Sequence, residues 1–363
     1  MEKAVKLYFS IFFLLVVFGM VMVFNIKMFN VPSAEAAVFP QIRSLVVNFT
    51  FAGAAFIMAY FLNLSWLKNS SKYLIPLIFI LILATFAIGT TVNGSKRWIN
   101  LHFMMIQPSE FAKIIVVIYL SEVMTKKGVK IRLVKDLLYP LALVFTISCL
   151  IAVEDLGTAA VIFVTAILLL ILGGMDKKHL IPLIPLAIIG FCALVFMPGK
   201  SYRVSRFASF IDPCAEQHRT TFGYQQCEAG IALGVGGVTG VGFGNSTRKI
   251  RHVPESHTDF IFPIIGEEFG FIGSLVLILI FMAMFGIGTY FVLHLHDTFN
   301  FYMVGGFVLI LAEQTVFNLL VVTSLSPNKG VPLPFISYGG SALLTYSTMV
   351  GLILNAVTSE SRV

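Results

Sequence analysis

The residues of this sequence that could do chemistry are ionisable side chains beside long apolar runs. Glu110 and Lys113 stand three residues apart at the start of one such run, so they share one face of a helix. A charged group inside hydrocarbon costs several kcal/mol, and each such group is therefore a candidate functional residue. The pair predicts either a positively charged surface that lines a cavity or a local ion pair that allows Lys113 to be buried.

Acidic residues also stand where apolar runs begin. Glu154 and Asp155 lie between two runs, where the sequence favours a solvated turn with an acidic helix start. Asp259 follows a polar segment and precedes the run that begins near residue 263. Its carboxylate could cap a helix or act as a general base, and the residues alone favour neither role.

The segment before Asp259 is rich in glycine and contains two cysteines. Six glycines between residues 234 and 244 lack the Gly-Lys-Ser/Thr ending of a phosphate loop, which argues against a nucleotide site. Such glycines permit tight turns or a close backbone approach. Cys214 and Cys227 could pair in an oxidising compartment, but the sequence does not give the distance between them.

Composition decides which kind of fold must position these residues. Of 363 residues, 58% are hydrophobic and 12% are charged, whereas a soluble domain carries about 25% charged residues. This excludes a secreted enzyme, a DNA-binding protein and a disordered chain. A spanning helix takes about 20 residues, and the sequence predicts one all-α membrane domain over residues 1–363 with about ten spans. The apolar runs are 7–26, 44–67, 73–91, 110–124, 137–153, 158–174, 179–197, 263–293, 299–322 and 338–357.

Basic residues predict the orientation of these spans. Twelve Lys and Arg residues fall in segments on the side of the N-terminus, against five in the short loops on the opposite side. Cytoplasmic loops collect basic residues, so both termini are expected in the cytoplasm. The net charge of +7 is then an orientation signal, and we expect no nucleic-acid partner. Residues 198–262, between spans 7 and 8, form the one large extracytoplasmic loop.

Several distinctive motifs occur in a fixed order along the chain. They are NGSKRWI at 93–99, QPSEFAK at 107–113, DLGTA at 155–159, GFGNS at 242–246, PESHTDFIF at 254–262, EE at 267–268 and KGVPLPFISYGGS at 329–341. Together they resemble the SEDS family (shape, elongation, division and sporulation), which includes FtsW, RodA and SpoVE. Gly244-Asn245-Ser246 with the basic residues after it, and Pro-x-Lys-Gly at 327–330, are more similar to FtsW than to the other branches.

The resemblance implies a peptidoglycan glycosyltransferase that polymerises lipid II at the outer face of the bacterial cytoplasmic (inner) membrane, at the division septum. It implies a class B penicillin-binding transpeptidase and other divisome proteins as partners, besides membrane lipid. A member for elongation or sporulation is the alternative within the family. A lipid II flippase and a non-catalytic divisome scaffold are the alternatives of another class.

The resemblance also implies roles for particular residues. Asp259 matches the family's proposed catalytic aspartate and would take the proton from the GlcNAc 4-hydroxyl of one lipid II. That oxygen would attack the MurNAc anomeric carbon of the growing chain, with inversion in a single displacement. The residues expected to contact substrate are Arg97, Trp98, Glu110, Lys113, Lys249, His257 and Ser337.

Among these residues, Arg97 and Lys113 are expected to contact the pyrophosphate, and Trp98 to pack on a sugar or lipid face. Lys249 lies in a basic strip with Arg248 and Arg251, which could instead attract anionic lipid headgroups. A lipid-linked donor needs neither a nucleotide nor an organic cofactor. A divalent cation, Mg²⁺ or Mn²⁺, is left open, because the sequence shows no ligand set.

Overall fold

A computed structural model describes residues 1–29, 35–92, 95–101, 105–128, 134–175, 190, 202–219, 223–249 and 256–361. Six of the described helices are long and apolar enough to cross a membrane, and two more are apolar but shorter. The described part of the chain is therefore a multi-pass helical membrane protein. The helices of the first half are α1 (Glu2–Phe29), α2 (Glu35–Phe61), α3 (Leu64–Ile88), α4 (Pro108–Lys127), α5 (Val134–Ala152) and α6 (Leu156–Leu172).

Three described helices of the second half precede the last long ones. Residues 202–236 include α7 (Tyr202–Ile211), α8 (Glu216–Arg219) and α9 (Tyr224–Gly236), so the predicted outer loop is partly helical. Cys214, in the turn between α7 and α8, forms a disulfide with Cys227 of α9, which resolves the alternative that the sequence left open. The long helices that follow are α10 (Ile261–His294), α11 (Thr298–Val322) and α12 (Gly340–Glu360).

Nine of the ten predicted spans coincide with helices, and the run 179–197 lies outside the described residues except for residue 190. The run 44–67 was wrong at its end, because α2 stops at Phe61 and α3 begins at Leu64. Asn63 caps α3 by accepting hydrogen bonds from the amides of Ser65 and Trp66, at 2.9 and 3.1 Å. Apolar residues continue across this turn, so hydropathy alone did not reveal it.

The all-helical membrane fold is confirmed, and one short sheet is added to it. A small antiparallel sheet joins α3 to α4 and consists of β1 (Thr90–Val92), β2 (Ser95–Asn100) and β3 (Met105–Ile106). Thr90 pairs with Trp98, and Ile99 pairs with Ile106. The sheet is short and lies between two apolar runs, where the sequence predicts a loop. Its consequence is that Arg97 and Trp98 lie on a strand.

The glycine-rich segment after α9 packs against a break in α10. Gly270 has φ 68° inside that helix, and a Cβ at Gly240 would collide with the carbonyl oxygen of Glu268. The amide of Val241 donates to the carbonyl of Glu267 at 2.9 Å. Backbones approach this closely only where side chains are missing, which confirms close approach for Gly240 and for Gly236, whose Cβ would collide with the carbonyl of Gly266. Gly234, Gly237 and Gly244 have open space at the Cβ position.

One end of the bundle gathers the segments that carry the predicted site. The chain reaches this end at the sheet, at the turn between α5 and α6, at the segment before α10 and at the segment 323–339 between α11 and α12. The last segment runs through the protein interior, since Phe335 and Ile336 are buried against Gly19 of α1. The positive-inside count predicts that this end faces outward.

Candidate active site

Asp259 lies in the turn immediately before α10, and two segments fix its backbone. Asn318 of α11 donates from its side chain to the carbonyl oxygen of Asp259 at 2.8 Å and to that of Val331 at 2.7 Å. The same amide therefore joins the Asp259 turn to the segment between α11 and α12. Phe260 caps α10 without a side-chain hydrogen bond, so Asp259 is not the N-cap residue of this helix.

The carboxylate of Asp259 lies against Gly330. A Cβ at position 330 would lie 2.6 Å from Oδ2 of Asp259 and 3.5 Å from its Cγ. A side chain at 330 would therefore collide with the carboxylate. The Asp259 side chain is half-buried, as expected for a group at the edge of the bundle.

Ser337 and His257, two predicted substrate contacts, lie beside the same turn. The Ser337 hydroxyl donates to the carbonyl oxygen of Thr258 at 2.6 Å and accepts from the amide of Leu333 at 2.8 Å. The amide of Tyr338 donates to the carbonyl of His257 at 2.8 Å, and the two rings lie 5.6 Å apart. Ser337 thus holds the Asp259 turn in place, and its contact with substrate stays a prediction.

A second carboxylate, Asp155, is buried near Asp259 and organises cationic side chains. Arg97 of β2 forms an ion pair with Asp155 at 3.0 Å, and the guanidinium lies 4.4 Å from the Trp98 ring centroid. Gln107 donates to the same carboxylate at 3.1 Å. Thr158 donates to Asp155 from its amide and its hydroxyl, so Asp155 caps α6.

This environment corrects the prediction of a solvated turn at Glu154 and Asp155. The acidic helix start is confirmed, but Asp155 is only 6% exposed. Burial alone would raise the pKa of the Asp155 carboxyl, but Arg97, the Thr158 hydrogen bonds and the more distant Lys113 together hold that pKa below its ordinary value. Asp155 is therefore an ionised residue that the solvent barely reaches.

Lys329 is a functional candidate that is not among the residues expected from the sequence to contact substrate. Burial lowers the pKa of the Lys329 ammonium group below its ordinary value, and the nearby Asp155 carboxylate partly offsets this effect. A Cβ at Gly157 would lie 3.8 Å from Cβ of Lys329 and 3.5 Å from Oδ1 of Asp155. Asp155 thus lies near two cations, Arg97 and Lys329. Residue 330, next in the chain, contacts Asp259.

Glu110 and Lys113 form the predicted ion pair inside the bundle. Their side chains lie 2.8 Å apart, with 4% and 0% exposed. The Lys113 ammonium group also lies 5.3 Å from the ring centroid of Tyr346. The local ion pair is confirmed. A contact of either residue with substrate stays a prediction.

Lys249 lies in a buried polar cluster instead of a basic surface strip. Its ammonium group pairs with Glu268 at 2.9 Å, and both side chains are 0% exposed. Lys249 also donates to the side chain of Asn25 at 3.0 Å and to the carbonyl of Gly244 at 2.6 Å. These contacts tie the loop to α1 and α10. Arg251 lies outside the described residues.

Metal ligands do not cluster in the described part of the chain. Within it, no three His, Cys, Asp or Glu side chains come together in a group that could hold a metal ion. Asp155 is already surrounded by hydrogen-bond donors and cations. The residues described therefore do not form a recognisable divalent-cation site, and no step is assigned to one.

The sequence of this chain is similar to known proteins over most of its length. The family model for FtsW, RodA and SpoVE, described as "Cell cycle protein", matches residues 5–362. A Tolumonas auensis protein named "Probable peptidoglycan glycosyltransferase FtsW" is 34% identical over 93% of this chain and 87% of its own length. A protein of the same name from Coxiella burnetii is 38% identical over 79% of this chain and 78% of its own length.

Solved structures show the same fold. A chain in the structure described as "Structural coordination of polymerization and crosslinking by a peptidoglycan synthase complex" superposes with a TM-score of 0.80 at 23% identity, covering 100% of this chain and 99% of that one. The rod shape determining protein RodA of Thermus thermophilus gives a TM-score of 0.71 at 22% identity, covering 97% and 96%. The resemblance in the motifs is confirmed, and the chain belongs to the FtsW/RodA/SpoVE family.

Proposed function

We propose that this protein is a peptidoglycan glycosyltransferase of cell division that polymerises lipid II at the outer face of the bacterial inner membrane. Relatives that share about a third of its residues over most of its length are named probable peptidoglycan glycosyltransferases. The observation that carries the proposal is the Asp259 carboxylate, held against Gly330 beside the cationic segment at Lys329. The site combines a base and countercharges at the end of an apolar bundle.

Asp259 is the general base of this proposal. It accepts the proton from the GlcNAc 4-hydroxyl of one lipid II, and the oxygen then forms a bond to the MurNAc anomeric carbon of the growing chain. The bond from that carbon to the lipid pyrophosphate breaks, and the configuration inverts. Base catalysis of this kind contributes roughly 10²–10⁴-fold in rate.

Arg97 and Lys329 supply the countercharge for the pyrophosphate leaving group. Both cations lie near Asp155, which fixes Arg97 by a 3.0 Å ion pair. The Nε atom of Arg97 is buried and has no hydrogen-bond partner among the described residues, so the guanidinium group keeps an unused donor. Asp155 is a positioning residue here. Lys249 is left out of the proposed contacts because its charge is fully paired and buried.

Trp98 packs beside Arg97 and gives a flat apolar face for a sugar ring or a lipid chain. The partner is a class B penicillin-binding transpeptidase that crosslinks the new strands. This agrees with the fold shared with a chain from a peptidoglycan synthase complex. The same fold with a different partner would serve elongation or sporulation.

Polymerisation of labelled lipid II by the purified chain, alone and with its transpeptidase partner, tests the proposal. Moenomycin is added to silence contaminating polymerases of the other class. Glycan strands are expected from the wild type, and Asp259→Asn should make them roughly 10²–10⁴-fold more slowly. Asp297→Asn is the matched control, because Asp297 caps α11 at the opposite end of the bundle and Asn retains the cap. Full activity of Asp259→Asn would exclude Asp259 as the base.

A further inference from the structure

Gln226 in the first turn of α9 holds the end of α11. Its side chain is 1% exposed, and its Nε2 atom donates to the carbonyl oxygens of Val321 at 3.0 Å and Ser326 at 2.8 Å. The last carbonyls of a helix have no partner within that helix. Gln226 supplies a partner to one of them and to the turn that follows. It thereby fixes the direction in which the chain leaves α11, three residues before Lys329.

The neighbouring residue Gln225 holds the same segment one step further along. Its Oε1 atom accepts a hydrogen bond from the Asn328 side chain at 2.6 Å, and Asn328 directly precedes Lys329. Asn328 is buried, so this contact is shielded from water. Two consecutive glutamines thus hold the backbone that carries Lys329 and Gly330.

Glu228, on the same turn, holds the loop that packs on α10. Its carboxylate pairs with Arg248 at 2.7 Å and is buried. The amide of Arg248 in turn lies 3.4 Å from the Glu267 carboxylate of α10. One helical turn, residues 225–228, therefore contacts both the segment that leads to Lys329 and the loop that packs on α10.

The disulfide secures this turn. Cys227 lies between Gln226 and Glu228, and its bond to Cys214 closes a separation of 13 residues. The N-cap residue of α9 is Gly223, which has no side chain to accept a capping hydrogen bond. The first turn of α9 thus lacks the usual capping interaction, and the covalent bond restrains it instead. The motifs of the family resemblance do not include these cysteines.

We propose that residues 225–228, which we name the α9 clamp, are positioning residues for the site, and that the Cys214–Cys227 disulfide sets the clamp. This rests on the proposed function, since it concerns how the residues of that site are held. Reduction takes up two electrons from an added thiol or phosphine and yields two thiols. The released turn then no longer holds Lys329 at its distance from Asp259, and the rate of polymerisation falls while substrate still binds.

The test compares oxidised and reduced full-length protein in a Cys149→Ser, Cys192→Ser background, so that Cys214 and Cys227 are the only thiols. Lipid II polymerisation gives kcat and KM, and hydrogen exchange follows the amides of residues 326–331. Reduction by a phosphine is expected to lower kcat at least fivefold, to leave KM within twofold and to speed exchange at 326–331 about tenfold. Gln226→Leu should reproduce these changes in the oxidised protein.

Gly230→Ala is the matched control on the same helix, because a Cβ at Gly230 meets nothing within 4 Å. It should leave kcat and exchange unchanged. Unchanged kcat and unchanged exchange on reduction would overturn the clamp. If oxidised protein makes no glycan, alone or with its partner, while exchange at 326–331 still responds to reduction, the proposed function fails and the structural role of the clamp stands.

Discussion

The Asp259 carboxylate and Gly330 are in direct contact: a Cβ on Gly330 would lie 2.6 Å from Oδ2 of Asp259. Because the two residues lie 71 positions apart, the contact depends on the path of the chain between α11 and α12. Asn318 stabilises that path by donating to the carbonyls of Asp259 and Val331. The Asp259 carboxylate can therefore take its position only because residue 330 has no side chain.

Gly330→Ala should displace the Asp259 carboxylate and slow polymerisation. A misplacement of about 1 Å can cost roughly 10²-fold in rate, and we expect a loss of that order in kcat. The thermal unfolding temperature should change little, because the collision involves a half-buried group that can move. Steady-state polymerisation of labelled lipid II measures the effect.

Gly286→Ala on α10 serves as the control, since a Cβ at Gly286 meets nothing within 4 Å. Neither Gly286 nor Gly330 has a positive φ, so the two substitutions differ in the collision and not in backbone strain. Wild-type kcat in Gly330→Ala would show that the carboxylate position is not important for the reaction.

The alkaline limit of activity should report on Lys329. A protonated lysine binds pyrophosphate, so activity is present below the Lys329 pKa and is lost as pH rises through it. Burial lowers this pKa below its ordinary value of 10.5, and Asp155 partly offsets the lowering. The loss should therefore come at a lower pH than for an exposed lysine. Asp155→Asn removes the offset and should move the alkaline limit lower still.

Lys329→Arg tests the assignment, because a guanidinium stays charged over the whole range. Its profile of kcat/KM against pH, between about 7 and 10, should lack the alkaline loss, whatever its absolute rate. Lys72→Arg, at an exposed position on α3, should keep the wild-type profile. An alkaline loss that persists unchanged in Lys329→Arg would assign it to another group.

Hydropathy predicted the helices well because burial in hydrocarbon acts on whole runs of residues. It failed where runs continue across a turn, as at Asn63, and where a short sheet interrupts them, as at Trp98. The place of Asp259 at the site could be predicted only through the family motifs. Without the motifs, the residues do not decide whether the Asp259 carboxylate caps a helix or acts as a general base.

The spacing of residues along the sequence does not reveal the ion-pair partners of the site residues. Arg97 and Asp155 are 58 residues apart, and no periodicity connects a strand with a helix start at that distance. The sequence predicts a solvated Asp155, because a short acidic turn is usually exposed to solvent. It predicts a surface strip at Lys249, because the buried partners of that lysine, Glu268 and Asn25, come from two other helices.

The Lys249–Glu268 pair should prove to be structural. Removal of one partner leaves a buried charge without its counterion, which costs about 3–5 kcal/mol. Lys249→Met should therefore lower the unfolding temperature strongly, and Lys249→Met with Glu268→Gln should recover much of the loss. Thermal unfolding in detergent measures both. A contradictory result is a Lys249→Met protein of wild-type stability with a raised KM for lipid II, since that would indicate a substrate contact.

The sidedness of the site follows from the count of basic residues and can be checked directly. Asn245 is exposed on the loop before Asp259, and His296 is exposed at the opposite end of the bundle, between α10 and α11. In the Cys149→Ser, Cys192→Ser background, Asn245→Cys should react with a membrane-impermeant maleimide applied outside spheroplasts. His296→Cys should react only after the membrane is permeabilised, since cytoplasmic loops collect the basic residues. The reverse pattern would place Asp259 in the cytoplasm, where a polymerase of extracytoplasmic glycan could not use it.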